Sequence, residues 1–318
     1  MAADIDGGAV RQVRSAFIVI LVAASTTFAH EGEPHDFGEL WHAWSFDPLV
    51  VVILASSALV YVNGLKNLWK AGGRGHGISE WEATAFAFGW FSIFIALVSP
   101  VHAWGEVLFS AHMLQHEILM LLSAPLFVIG RPFVAAMWCA PNSWRRPIGS
   151  TISEGHLKFL WRRITSPFVA WLVHALALWI WHIPFLFQAT LKSDVVHTLQ
   201  HASFFGSALL FWWAIIYGSR GVASYGAGIL YLFTTSIHSG LLGVLLTLTS
   251  RVWYPAYSET TASWGLTPIE DQQLGGLIMW VPAGIVYIVA ALIMFSGWLR
   301  ESGNRALRRE NRIANQSI

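Results

Sequence analysis

The sequence predicts an all-α fold, a polytopic transmembrane helix bundle with seven spans in the mature chain. Hydrophobic residues make up 55% of the 318 positions and charged residues only 12%, about half the charged share of a soluble domain. Apolar runs of the length that a helix needs to cross a bilayer, about 20 residues, recur along the chain. A protein embedded in the lipid bilayer is therefore expected. The formal net charge of +1 gives no reason to expect a nucleic-acid partner.

Residues 1–29 are predicted to be a signal peptide. Two arginines precede a short apolar stretch, and small residues stand before a cleavage site after Ala29. Cleavage there would leave a periplasmic, acidic, histidine-bearing tail, residues 30–47, in which His30 and His35 are candidates for capturing a metal ion. The alternative is a disordered acidic tail with no metal.

The transmembrane domain is predicted to cover residues 48–299, with a basic tail after it at 300–318. Its seven predicted spans are 48–65, 83–99, 107–129, 167–188, 197–217, 227–248 and 274–299.

Lysine and arginine gather in the loops after the first, third and fifth spans and in the C-terminal tail. Because cytoplasmic loops carry the excess of positive residues, the N-terminus is predicted in the periplasm and the C-terminus in the cytoplasm, in a bacterial plasma (inner) membrane. The longest cytoplasmic loop, residues 131–166, mixes apolar and basic residues and is predicted to lie at the lipid headgroups.

The apolar runs contain several histidines, which are not expected in membrane-spanning segments. Two pairs have the spacing His-x-x-x-His, at His112 and His116 and at His197 and His201, which places both rings of a pair on one helix face. A polar group in hydrocarbon is costly unless it is paired or ligating, so each is a functional-site hypothesis. Of the 13 histidines, the candidate metal ligands are those in or beside apolar runs: His102, His112, His116, His182, His197, His201 and His238.

The predicted orientation places most of these histidines in the outer half of the membrane, with His116 and His238 near its middle. Four different spans contribute them. Other polar or soft side chains at similar depth are candidates for supporting the ligands or orienting their rings. They are Met113, Glu117, Asp271, Gln272 and Gln273.

The donor types favour copper as the bound metal. Cys139 is the lone cysteine, which excludes a Cys-x-x-Cys trap. Imidazole with thioether support suits copper better than an iron–sulfur cluster. Three alternatives remain: helix-packing histidines without a metal, a haem b-binding electron carrier, and a copper permease in which Glu117 and His174 continue the path.

Enzymatic function is not expected. The sequence has no glycine-rich nucleotide loop and no nucleophile with a placed base, and no soluble domain is predicted that could hold one.

The ordered motifs resemble the CtaG family of caa3-type cytochrome c oxidase assembly factors. The resemblance runs over about residues 41–298 and implies a bacterial plasma-membrane protein that helps to mature a haem–copper oxidase, with oxidase subunits as partners. The motifs are His112-Met-Leu-Gln-His116, Trp181-His-Ile-Pro184, His197-Thr-Leu-Gln-His201, His238, and Asp271-Gln-Gln-Leu-Gly-Gly-Leu-Ile-Met-Trp280-Val-Pro282.

The expected mechanism is a copper relay. Copper, handed over by a periplasmic chaperone or drawn in by acidic outer segments, would be captured by the outer histidines. It would then pass inward toward His116 and His238 and move laterally to an oxidase subunit.

Overall fold

In this computed structural model, the residues described are 37–153, 155–218 and 222–316, and they form helices with no strand among them. The predicted signal peptide, together with His30 and His35, lies outside the described residues.

The helices are numbered α1 to α14 in chain order. They are α1 (Phe37–Leu40), α2 (Pro48–Gly72), α3 (Glu80–Val98), α4 (Pro100–Val107), α5 (Phe109–Glu117), α6 (Ala124–Ile129), α7 (Pro132–Cys139), α8 (Asn142–Ser153), α9 (Gly155–Ile164), α10 (Pro167–Trp181), α11 (Pro184–Thr190), α12 (Asp194–Tyr217), α13 (Val222–Leu248) and α14 (Pro268–Gln316). A π-helical segment, Ile118–Ser123, joins α5 to α6, and two short 3₁₀ helices, Pro255–Glu259 and Thr261–Trp264, lie between α13 and α14.

The predicted all-α polytopic bundle is confirmed. By length and composition, six helices in the described part of the chain could cross a membrane, and a seventh crossing is reached if α9 and α10, bent by 60°, form one span. The protein is therefore a multi-pass membrane protein.

The fourth predicted span, residues 167–188, is not one continuous helix. Helix α10 ends at Trp181, Ile183 is extended (φ −62°, ψ 124°), and α11 begins at Pro184. Proline lacks an N–H and disfavours the helical conformation of the residue before it, which explains the break. The break holds His182 at the end of α10.

A widened helical turn follows directly after Glu117. The π-helical segment Ile118–Ser123 lies in the same predicted span as Pro125, the second residue of α6. The Ser123 hydroxyl donates to the Ile118 carbonyl (3.0 Å) and lies 2.7 Å from the Ser92 hydroxyl of α3. Such turns are frequent at functional sites, and this one comes just after the histidine-bearing helix α5.

The largest apolar core lies where α5, α10, α12, α13 and α14 pack together. Four aromatic rings near its histidine-bearing end are almost entirely buried: Phe109, Phe187, Phe204 and Tyr254. The segment between α13 and α14 packs against this end through Tyr254 and Tyr257.

The loop predicted to lie at the lipid headgroups contains helices α7 to α9. Trp144, Leu157 and Phe159 are exposed on α8 and α9 beside basic residues, as expected of helices at a membrane surface.

Candidate metal centre

Three buried histidines from two helices meet inside the bundle. His112 and His116 lie on α5 and His201 on α12, and one ring nitrogen of each lies within 4.8 Å of the others. The Nε2 atoms of His112 and His116 are 3.0 Å apart, because residues four apart stack on one helix face. This trio is the only such group found among the described residues, and we call it the three-histidine site.

Two further histidines connect this site to a less buried region. The ring centroid of His197 lies 4.3 Å from that of His201, and the His102 ring stacks on His197 at 5.5 Å. His102 Nε2 is 3.6 Å from a carboxylate oxygen of Glu106, and the side chains of both residues are partly exposed. The rings therefore form a continuous row from a partly exposed end to fully buried His116.

His112 has hydrogen-bonding neighbours at both of its ring nitrogens. Its Nδ1 lies 3.2 Å from the Tyr257 hydroxyl and 3.3 Å from the Gly105 carbonyl. The Tyr257 hydroxyl donates to the same carbonyl (3.1 Å), and burial raises the pKa of Tyr257 well above its usual value, so this proton is retained. Both neighbours of Nδ1 can accept a hydrogen bond from it, whereas Gln200 Oε1, 3.2 Å from Nε2, would accept one from Nε2, so the two sides of the ring favour opposite tautomers. A carbonyl that orients the far nitrogen is a common feature of metal-binding histidines.

Several ring nitrogens at the site lack hydrogen-bond partners. Within the described part of the chain, His116 Nδ1, His197 Nε2 and His201 Nε2 are buried without a partner. Buried polar atoms are nearly always paired, so this concentration of unpaired donor or acceptor atoms fits a site that receives an ion. Three imidazole nitrogens are a donor set that suits copper and other transition metals.

His182 lies beside the three-histidine site but is separated from it by two phenylalanines. Its ring centroid is 6.3 Å from Phe187 and 6.0 Å from Phe204, whose rings also contact His112 (5.1 Å) and His116 (4.6 Å) respectively. Its Nδ1 lies 2.7 Å from the Leu178 carbonyl, which leaves Nε2 as the free acceptor.

His238 and His174 lie apart from these rings. The His238 ring is 5.3 Å from the ring of Trp171. Trp171 lies on α10, about one helical turn before His174. His174 Nδ1 is 3.0 Å from the Ser207 hydroxyl. The structure thus does not bring His238 to the three-histidine site.

Within the described part of the chain, no hydrogen bond joins a predicted supporting residue to a histidine ring. Asp271 accepts hydrogen bonds from the first turn of α5, and Gln272 and Gln273 bond backbone groups between residues 249 and 253. Met113 belongs to the apolar core. One carboxylate oxygen of Glu117 is buried with no hydrogen-bond partner among the described residues.

Two glutamines at the site were missed by the sequence reasoning. Gln200 Oε1 lies 3.2 Å from His112 Nε2, and Gln115 Nε2 lies 3.0 Å from His102 Nδ1. Both glutamines directly precede the second histidine of a His-x-x-x-His pair, so the repeated His-x-Leu-Gln-His pattern was the signal that could have found them.

Replacing Tyr257 with phenylalanine is expected to weaken metal binding without unfolding the protein. The change removes the hydroxyl that holds the Gly105 carbonyl and His112 Nδ1, and loss of such outer partners typically lowers metal affinity about 10- to 100-fold. Metal titration of the purified variant measures this. Tyr254→Phe is the matched control, because the Tyr254 hydroxyl donates to the His182 carbonyl (2.8 Å) instead; equal losses in both variants would contradict the assigned role of Tyr257.

The fold and this site define the class: a multi-pass helical membrane protein with a buried cluster of histidines. The sequence profile of the cytochrome c oxidase caa3 assembly factor family (Caa3_CtaG) matches residues 59–301. The chain belongs to this family, so the resemblance seen in the motifs is confirmed.

Three similar proteins are uncharacterized proteins of mycobacteria. One from Mycobacterium bovis and one from Mycobacterium tuberculosis are each 27% identical to this chain over 290 residues, covering 89% of it and 43% of the relative. One from Mycobacterium leprae is 25% identical over 300 residues, covering 90% and 44%. The chain therefore spans less than half the length of these relatives. No solved structure matches it.

Proposed function

We propose that this protein binds copper at the three-histidine site and delivers it to a subunit of a haem–copper oxidase during assembly. The observation that carries the proposal is that three buried imidazoles converge on one point, in a member of an oxidase assembly family. Copper is here the cargo, so the site has to receive the ion and also release it.

The row of rings suggests how copper would reach the buried site. His102 and Glu106 form its partly exposed end, and a carboxylate beside an imidazole attracts a cation. His197 lies between that end and His201, with its Nε2 lacking a partner among the described residues. Copper would be exchanged from ring to ring along this row, received from a periplasmic chaperone at one end and passed to the oxidase from within the membrane.

The geometry favours an ion over haem b as the ligand. A haem held by two axial histidines needs a flat cavity between them that is as wide as the porphyrin. The Nε2 atoms of His112 and His116 are only 3.0 Å apart, and the rings of Phe187 and Phe204 pack directly against these two histidines. The close packing around these two histidines supports a compact ion over a macrocycle.

Metal analysis of the purified protein tests the proposal. Wild-type protein supplied with copper is expected to retain it through gel filtration, whereas His112→Ala and His201→Ala are expected to lose it. His156→Ala is the matched control, since this histidine is exposed on α9. Wild-type protein without copper, or ligand variants that retain all of it, would refute the site.

Delivery is tested separately from binding. Cells that carry His112→Ala in place of the wild-type chain are expected to accumulate oxidase lacking copper, measured as copper per oxidase and as cytochrome c oxidation in membranes. Cells that carry His156→Ala should assemble normal enzyme. If copper-free His112→Ala protein still supports full oxidase assembly, the proposed copper delivery is refuted.

A further inference from the structure

The groups that would surround a metal at the three-histidine site are all neutral. Three imidazoles offer nitrogen donors, and the Gln200 amide, itself fully buried, lies 3.2 Å from His112 Nε2. A carboxylate at the position of this amide would place a negative charge at the same distance. The chain has instead an uncharged group of the same shape.

The carboxylates on or packed against α5 contact groups other than the three histidines. Glu106 lies 3.6 Å from His102 Nε2 at the partly exposed end of the row. Asp271 accepts hydrogen bonds from the first turn of α5. Glu117 follows His116 directly, and residues one apart on a helix point in different directions.

Burial penalises a divalent ion more than a monovalent one. His112, His116 and His201 are 0%, 1% and 8% exposed, and the rings of Phe187 and Phe204, both fully buried, line the site. The cost of moving an ion from water into such surroundings grows with the square of its charge, so it is about four times larger for a divalent ion.

Two helix N-termini add to this discrimination. His112 and His116 are the fourth and eighth residues of α5, and His197 and His201 hold the same positions in α12. The N-terminal end of a helix carries about half a positive charge. The first histidine of each pair, His112 or His197, therefore lies at the end of the first turn, where the positive helix end repels a divalent cation twice as strongly as a monovalent one.

We propose that the three-histidine site selects monovalent, reduced copper over divalent ions, and that Gln200 is a specificity-determining residue because it is uncharged. This inference rests on the proposed copper-binding function and deepens it. The donor number agrees with it, since three nitrogen donors satisfy monovalent copper, whereas zinc would need a water or other fourth ligand in this buried site and divalent copper a tetragonal set.

Silver and zinc ions separate charge from redox chemistry, because both have a filled d shell and differ in charge. Full-length protein in lipid nanodiscs is titrated with Ag⁺, Zn²⁺ and, without oxygen, Cu⁺. Wild-type protein is expected to prefer Ag⁺ to Zn²⁺. Gln200→Glu is expected to shift the ratio of the two affinities toward Zn²⁺ by about tenfold or more, since a new negative charge attracts a divalent ion twice as strongly. Gln188→Glu, whose parent amide bonds the Pro184 carbonyl within α11, is the matched control and should keep the wild-type ratio.

The outcomes separate the two proposals. If wild-type protein binds neither Cu⁺ nor Cu²⁺, both the proposed function and the proposed selectivity are refuted. If it binds Cu²⁺ or Zn²⁺ as tightly as Cu⁺ or Ag⁺, or if folded Gln200→Glu keeps the wild-type ratio, copper binding stands and the selectivity is refuted. If Gln200→Glu does not fold, the ratio of the Ag⁺ and Zn²⁺ affinities of wild-type protein tests the selectivity. Bound copper without an electron paramagnetic resonance signal supports the reduced state.

Discussion

Replacing Asp271 with alanine is expected to destabilise the protein by about 3 kcal/mol or more and to abolish metal retention. Asp271 is fully buried, and its carboxylate accepts from the Phe109 N–H (2.7 Å), the Ser110 N–H (3.0 Å) and the Ser110 hydroxyl (2.5 Å). The residue before α5, Leu108, offers no side-chain cap of its own. Alanine would leave three buried donors unpaired at a cost of about 1–3 kcal/mol each.

Loss of the Asp271 cap is expected to weaken metal binding, because α5 carries two of the three proposed ligands. A first turn without its cap is expected to fray. His112 is the fourth residue of α5, so fraying would displace its ring. Thermal unfolding in detergent and copper per chain are the two measurements. Asp271→Asn keeps an acceptor oxygen and should lose less of both.

Glu270→Ala is the control for the loss of an acidic residue at this helix start. Glu270 is the neighbouring acid on α14, and it accepts hydrogen bonds from Thr267 at an exposed position. Its removal should leave copper retention at the wild-type level. An Asp271→Ala protein as stable and as copper-rich as this control would show that the cap across helices does not hold α5 in place.

The helices were largely predictable because the bilayer imposes a simple length and hydropathy requirement on each span. The prediction of one continuous helix over residues 167–188 was wrong. Hydropathy does not show that one helix ends before Pro184 and another begins there, and this break determines the position of His182. The chemistry of proline explains an interruption at Pro184, but the angle and the new helix start depend on packing against neighbours.

The site was predictable only as far as spacing within one helix reaches. The His-x-x-x-His pattern correctly places His112 and His116 on one face, but it does not say which faces of two helices meet. Depth arguments therefore grouped His238 with the others, whereas rotation of its helix places it beside Trp171. Asp271 was expected near the rings for the same reason, and it caps the helix that carries them instead.

Replacing Gly275 with alanine is expected to destabilise the bundle by about 1–3 kcal/mol, the usual cost of overpacking a core. A Cβ at this position of α14 would lie well inside the van der Waals contact distance of the Phe109 ring, 2.5 Å from its Cε1, and 3.3 Å from the Met113 side chain. Phe109 cannot move aside freely, because its ring stacks on Tyr254 at 4.7 Å and packs on Phe187 at 5.4 Å. The added methyl group must therefore push α5 away from α14.

Helix α14 offers its own matched control in Gly284, where a Cβ would meet no atom within 4 Å among the described residues. Gly284→Ala should leave stability unchanged or raise it, since alanine favours a helix by about 1 kcal/mol over glycine. Thermal unfolding and copper affinity of the two variants are compared side by side. Small residues let membrane helices approach closely, and a displaced α5 would carry His112 and His116 away from His201. Copper affinity should thus fall in Gly275→Ala and not in Gly284→Ala; equal behaviour of the two would show that the contact between α5 and α14 does not set the geometry of the three-histidine site.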